Sequence, residues 1–186
     1  MIRSKKDLER YLYNDNGYLN DIRDKKSRFF MMIVHDAEYY ICKYLKMLRK
    51  QEYYINTSNG NKIKGLLSLY YERKKHNIGN KLGFYIGPNS CEEGLVLSHH
   101  GTVIINPNAK IGKNCVFHGN NCVGNKGVTG PVPKIGNNVD IGFGAIIIGD
   151  IEIADDIKIG ANAVVTKSFL EPGITIVGIP ARKVER

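Results

Sequence analysis

Two adjacent histidines, His99 and His100, and a third at His118 are the side chains of this 186-residue chain best suited to proton chemistry. An imidazole with an ordinary pKa of about 6.5 takes up and returns protons near neutral pH. His99 and His100 lie in the string Leu97-Ser-His-His-Gly-Thr102. A general base of this kind takes the proton from a poor nucleophile such as an alcohol, and a histidine suits that task. His99 is the candidate base. Ser98, His100 and His118 are candidate acceptor-side groups. No carboxylate stands at ligand spacing from the histidines, so no metal site is expected. The four cysteines, Cys42, Cys91, Cys115 and Cys122, form no CxxC and no metal spacing. Cys115 reads as a small apolar filler.

The elements that must position these groups follow from one aliphatic beat. Ile135, Ile141, Ile147, Ile153, Ile159 and Val165 recur every six residues, and Ile105, Ile111, Phe117 and Val123 keep the same phase upstream. Two positions before the beat stand Val139, Ala145, Ile151, Ile157 and Ala163. Helices repeat about every 3.6 residues and strands about every 2, so neither alone gives this spacing. Short strands joined by tight turns do, with the aliphatics stacked down a narrow interior in a hexapeptide solenoid. Counted six back from Ile105, His99 takes an in-phase position, at a coil edge or a subunit seam. The stretch from Gly124 to Lys134 lacks the beat and holds Gly and Pro, so it reads as a loop thrown out of the coil.

The front of the chain differs. Ser4 and Asp7 resemble a capping box for a helix at about 5–14. Phe30, Ile33, Val34, Ala37, Ile41, Tyr44, Leu45 and Leu48 mark a long amphipathic helix over 28–55. Ile63, Leu66, Leu67 and Tyr70 mark another, ending near Lys75. Residues 1–76 are therefore read as a helical region and 77–186 as the solenoid. The net charge of +9 is concentrated in front: residues 1–76 carry 17 Lys and Arg against 9 Asp and Glu. That balance points to an anionic neighbour such as a phosphorylated cofactor, a lipid-linked substrate or a membrane face. Nucleic acid is not expected, because no nucleic-acid motif is present. No stretch is long and apolar enough to span a membrane, and no signal peptide is evident, so a cytoplasmic location is expected.

The beat, the extruded loop and the terminal Gly178-Ile-Pro-Ala-Arg182 together resemble the hexapeptide acyltransferases. The resemblance implies a mainly β fold, a left-handed parallel β-helix behind an N-terminal α-helical region, assembled as a homotrimer. The run from Leu97 to Asn106 is similar to the catalytic stretch of serine O-acetyltransferases, where a histidine deprotonates the acceptor hydroxyl. On that likeness His99 is the base, acetyl-CoA is the co-substrate, and no metal is needed. Gly144 and Ala145 match the backbone that holds the pantetheine. Gly124, Lys134, Lys167, Arg182 and Lys183 are further candidates for CoA.

Three positions depart from the family pattern. Ser98 replaces the aspartate before the base, Phe84 falls where the orienting aspartate is expected, and Val132 replaces a second histidine. With those charges gone, the expected acceptor is a hydroxyl on a sugar or polysaccharide unit. Closeness to polysaccharide O-acetyltransferases is the corresponding expectation. A serine O-acetyltransferase of cysteine biosynthesis and a non-enzymatic solenoid scaffold are the alternatives.

Overall fold

From β2 to β12 successive strands behind the helices visit three faces in rotation, each pairing in parallel with its neighbour a full turn away. The computed structural model describes residues 1–16, 25–127 and 129–185. Face A holds β1 (Phe84–Ile86), β3 (Val103–Ile105), β6 (Asn121–Gly124), β9 (Ile146–Ile148) and β12 (Val164–Val165). Face B holds β4 (Lys110–Ile111), β7 (Lys134–Ile135) and β10 (Glu152–Ile153), with bridges from Cys91 and Phe169 at its ends. Face C holds β2 (Val96–Leu97), β5 (Val116–Phe117), β8 (Asp140–Ile141), β11 (Lys158–Ile159), β13 (Thr175–Val177) and β14 (Arg182–Lys183). Among the described strands only β14 runs antiparallel, folding back on β13. The structure is thus a three-sided coil of parallel strands behind N-terminal helices.

The six-residue beat is the inward position of each strand. Ile105, Phe117, Val123, Ile141, Ile147 and Val165 are all 0% exposed. Cys115, also 0% exposed, fills a corner and donates from Sγ to the Gly136 carbonyl at 3.2 Å. Burial pushes its thiol up to about 11, which makes it inert as a nucleophile.

The outward positions of the three faces differ in character. Face B shows Lys110, Lys134 and Glu152 in register. Face A instead shows an apolar ladder, with Tyr85, Ile104, Cys122, Ile146 and Val164 opposite one another from coil to coil. Tyr85 and Ile104 are 56% and 42% exposed.

Among the described residues four helices precede the coil: α1 (Lys5–Asn14), α2 (Lys25–Ile33), α3 (Ala37–Thr57) and α4 (Lys62–Leu82). The Ser4–Asp7 capping box opens α1. The helix expected over 28–55 is two helices. His35 adopts a positive φ, and Asp36 caps α3 by accepting from the Glu38 N–H at 2.8 Å. The helix expected to stop near Lys75 runs on to Leu82 and ends at Gly83 in a left-handed cap. Gly79 signals close packing there rather than a break: a Cβ on it would lie 2.6 Å from the Phe84 carbonyl oxygen. The division between 76 and 77 therefore falls inside α4. Stacked Tyr54 and Tyr71 bind α3 to α4. No helix among the described residues is long and apolar enough to cross a membrane.

The helices also finish the open end of the coil. On face A the Ile86 N–H donates to the Tyr44 hydroxyl, and Lys75 Nζ donates to the Ile86 carbonyl. On face B the Arg49 guanidinium donates to the Cys91 and Glu92 carbonyls, each at 2.8 Å. On face C the side-chain amide of Asn16 acts as a short strand, donating to the Leu97 carbonyl and accepting from its N–H. Asp15 accepts from the Gly94 and Leu95 N–H groups.

Arg49, 0% exposed, also pairs with Asp15 and Glu52 at 2.6 and 2.9 Å. Burial alone would lower its pKa, but the two carboxylates outweigh that and hold it well above its ordinary value. Removing this cation leaves two buried carboxylates uncompensated, so Arg49→Ala is expected to cost about 3–5 kcal/mol. Lys113→Ala, which removes a half-exposed partner of Glu93, is expected to cost under about 1 kcal/mol. Urea unfolding of the two variants beside the parent checks the contrast.

Candidate active site

The corner where face C turns into face A gathers the histidines. After β2 the chain bends through residues 98–102 before entering β3. His99 and His100 are both exposed in that bend. The expected in-phase role of His99 is corrected: Leu97, 0% exposed, is the inward residue of this coil. Eight residues separate Leu97 from Ile105 rather than six, and the two extra residues push the histidines outward. His99 therefore lies in the bend between face C and face A.

Backbone bonds on both sides hold the bend. The Ser98 N–H donates to the Phe117 carbonyl at 2.9 Å and the Gly101 N–H to the Leu82 carbonyl at 2.9 Å. The Thr102 N–H donates to Asn120 Oδ1 at 3.0 Å. Gly101 has φ of +125°, and a Cβ there would meet Asn120 Oδ1 at 2.9 Å. Among the described residues no side chain hydrogen-bonds to His99 or His100.

One coil on, His118 follows Phe117 at the end of β5. It pairs through Nε2 with Asp140 Oδ1 at 2.7 Å, and both side chains stay partly exposed on face C. Sequence reasoning found His118 but not Asp140. The two lie 22 residues apart, and only the coil register, Val116 opposite Asp140, brings them together. Buried Asn121 pins the same corner, accepting from the Gly119 N–H at 2.9 Å and donating to the Gly142 carbonyl at 2.8 Å.

Next along the corner comes Gly144, with φ of +75° and its N–H donated to the Gly119 carbonyl. Its neighbour Ala145 is 0% exposed, with its N–H given to Gly142 and its carbonyl accepting from Cys122. Both backbone groups of Ala145 are therefore engaged within the coil.

The remaining CoA candidates do not converge within one chain. Gly124 and Lys167 lie where face A turns into face B, and Lys134 lies on face B. Lys167 Nζ rests 5.3 Å from the centre of the Phe169 ring. Arg182 and Lys183 lie on β14 at the far end of face C, and Lys183 is paired with Glu171. The extruded loop leaves at the A-to-B corner, with Lys126, Gly127, Thr129, Gly130 and Pro131 exposed; its Val128 lies outside the described residues. Among the described residues no group of three or more His, Cys, Asp or Glu is placed to hold a metal ion.

Two of the three departing positions, Phe84 and Val132, pack against the protein interior. Phe84 is buried edge-on against Tyr44, with ring centres 5.3 Å apart. Val132 packs on the core.

No family model matches the chain. It is 35% identical over 103 residues to a serine acetyltransferase of Mycobacterium tuberculosis, covering 54% of this chain and 44% of that one. It is 39% identical over 95 residues to a serine acetyltransferase of Helicobacter pylori, covering 50% and 55%. The chain thus spans about half or less of the length of these curated relatives. The soybean serine acetyltransferase apoenzyme superposes with a TM-score of 0.73 at 27% identity, over 97% of this chain and 70% of that one. These likenesses overturn the expectation of a polysaccharide-type O-acetyltransferase. The departures at Ser98, Phe84 and Val132 that favoured a sugar acceptor do not outweigh them.

Asn121→Ala would orphan the Gly119 N–H, at about 1–3 kcal/mol, while the Gly142 carbonyl keeps the Ala145 N–H. The expected result is a loss of unfolding free energy in that range or above, with faster amide exchange at Gly119 than in the parent protein.

Proposed function

We propose that this chain is a serine O-acetyltransferase, moving an acetyl group from acetyl-CoA to the hydroxyl of free serine. The observation that carries the reading is the fold-wide likeness to soybean serine acetyltransferase, over 97% of this chain. Sequence identities of 35–39% over half the chain support it. So does an exposed histidine, His99, held at a coil corner by bonds to Leu82 and Phe117 through its neighbours.

In this reading His99 takes the serine hydroxyl proton as the oxygen attacks the thioester carbonyl. The tetrahedral intermediate collapses, the C–S bond breaks, and the CoA thiolate takes up a proton. The corner backbone at Gly144 would lie along the pantetheine arm. Lys134, Lys167 and Arg182 would serve the phosphates only where subunits bring separate corners together.

The coil is read as a left-handed β-helix, the exception to the usual right-handed crossover. The assembly is read as a homotrimer. The apolar ladder on face A supports an assembly, because in-register Tyr85, Ile104, Cys122, Ile146 and Val164 offer a continuous surface for another copy. The corner carrying His99 borders that face, so active sites are read as lying at the seams. Free cysteines throughout the described residues and the use of acetyl-CoA fit a reducing cytoplasm.

Thiol release from acetyl-CoA with and without L-serine tests the reading. Serine-dependent release is expected, with His99→Ala lowering kcat by about 10²–10⁴-fold and His100→Ala much milder. Absence of serine-dependent release by the parent enzyme overturns it. Ile104→Lys should split the assembly in light scattering; an unchanged mass would refute face A as the contact.

A further inference from the structure

Free serine is a zwitterion, and binding it rather than any other alcohol requires one group for the ammonium and one for the carboxylate. Phe84 is buried in the core, Val132 packs against it half-buried, and Ser98 carries no charge. One ion pair does stand on the right face. Phe117 and Ile141 are inward and 0% exposed, so alternation turns His118 and Asp140 outward on face C. The Ser98 N–H bond to the Phe117 carbonyl sets Ser98 directly over His118. His118 is therefore one strand spacing, about 4.8 Å, from the bend that carries His99. That spacing is of the order of the serine molecule itself.

We propose that His118 and Asp140 together form the acceptor-recognition pair, Asp140 taking the ammonium and His118 the carboxylate of an amino-acid substrate. The assignment rests on the serine reading above and names its specificity residues. Nε2 of His118 and Oδ1 of Asp140 are spent on each other at 2.7 Å. Nδ1 of His118 and Oδ2 of Asp140 have no partner among the described residues. As an imidazolium, His118 offers Nδ1–H to a carboxylate, and Oδ2 accepts from an ammonium. A ring N–H donor and a carboxylate acceptor side by side match the carboxylate and the ammonium of a zwitterion. Lys158, the register neighbour of Asp140 on the next coil, makes no ion pair with it among the described residues, so Asp140 is committed to His118 alone.

The test uses the full-length protein and three acceptors: L-serine, 3-hydroxypropanoate, which lacks the ammonium, and ethanolamine, which lacks the carboxylate. Asp140→Asn should raise the KM for serine about 10-fold or more, the weight of one charge-assisted contact, while kcat changes far less. It should also shrink the preference for serine over 3-hydroxypropanoate by a similar factor. His118→Gln should do the same to the preference over ethanolamine. A purely structural pair would lower all three acceptors in parallel and leave the preferences untouched, and that result overturns the proposal. So does a serine KM within about twofold of the parent value in both variants. If the parent enzyme transfers no acetyl group to serine at all, the serine reading fails first, and this assignment with it.

Discussion

A coil of parallel strands cannot end without leaving a row of unpaired backbone donors and acceptors on each face. Left buried and unpaired, each would cost about 1–3 kcal/mol, and left exposed they would template pairing with other chains. Here the helices meet that constraint face by face. Tyr44 and Lys75 take the N–H and carbonyl of Ile86, Arg49 takes the carbonyls of Cys91 and Glu92, and Asn16 takes both groups of Leu97. Most of these side chains are among the few buried polar groups of the molecule. Their burial is tolerated because the coil edge supplies their partners. At the far end β14 folds back on β13 to pair that edge of face C.

The capped edge is also what holds the candidate active site. Leu97, clamped by Asn16, is two residues before His99. Leu82, the last residue of α4, accepts the Gly101 N–H two residues after it. The bend is thus suspended between the helices and the next coil, where Asn120 and the Phe117 carbonyl receive its other bonds. Asn121 ties that coil to the following one. Position is passed along the corner by backbone bonds, so His99 can stay exposed, with no side-chain partner among the described residues, while its main chain is fixed.

The coil was legible because its interior admits one aliphatic per strand and repeats that demand every six residues. Legibility ended wherever the chain departed from the repeat. The two extra residues between Leu97 and Ile105 moved His99 off the beat, and strict counting could not see it. The helix runs on past its expected end near Lys75 because Gly79 allows the close contact that lets α4 lie against β1. The break at His35–Asp36 needed a left-handed residue and a cap that the apolar period concealed. The His118–Asp140 pair was hidden because the register, not the sequence spacing, sets which outward residues meet. The departures at Ser98, Phe84 and Val132 therefore pointed toward a sugar, while the His118–Asp140 pair on face C went unread.

Native-state amide hydrogen exchange on the intact chain tests the edge-capping account most directly. The N–H groups of Ile86, Leu95 and Leu97 have no strand above them, only the side chains of Tyr44, Asp15 and Asn16. If those side chains replace the missing coil, these amides will be protected as strongly as Val116 and Asp140 inside the stack, whose partners are strand carbonyls. Exchange at the rate of the exposed loop residues Lys126 and Gly127 would contradict the account.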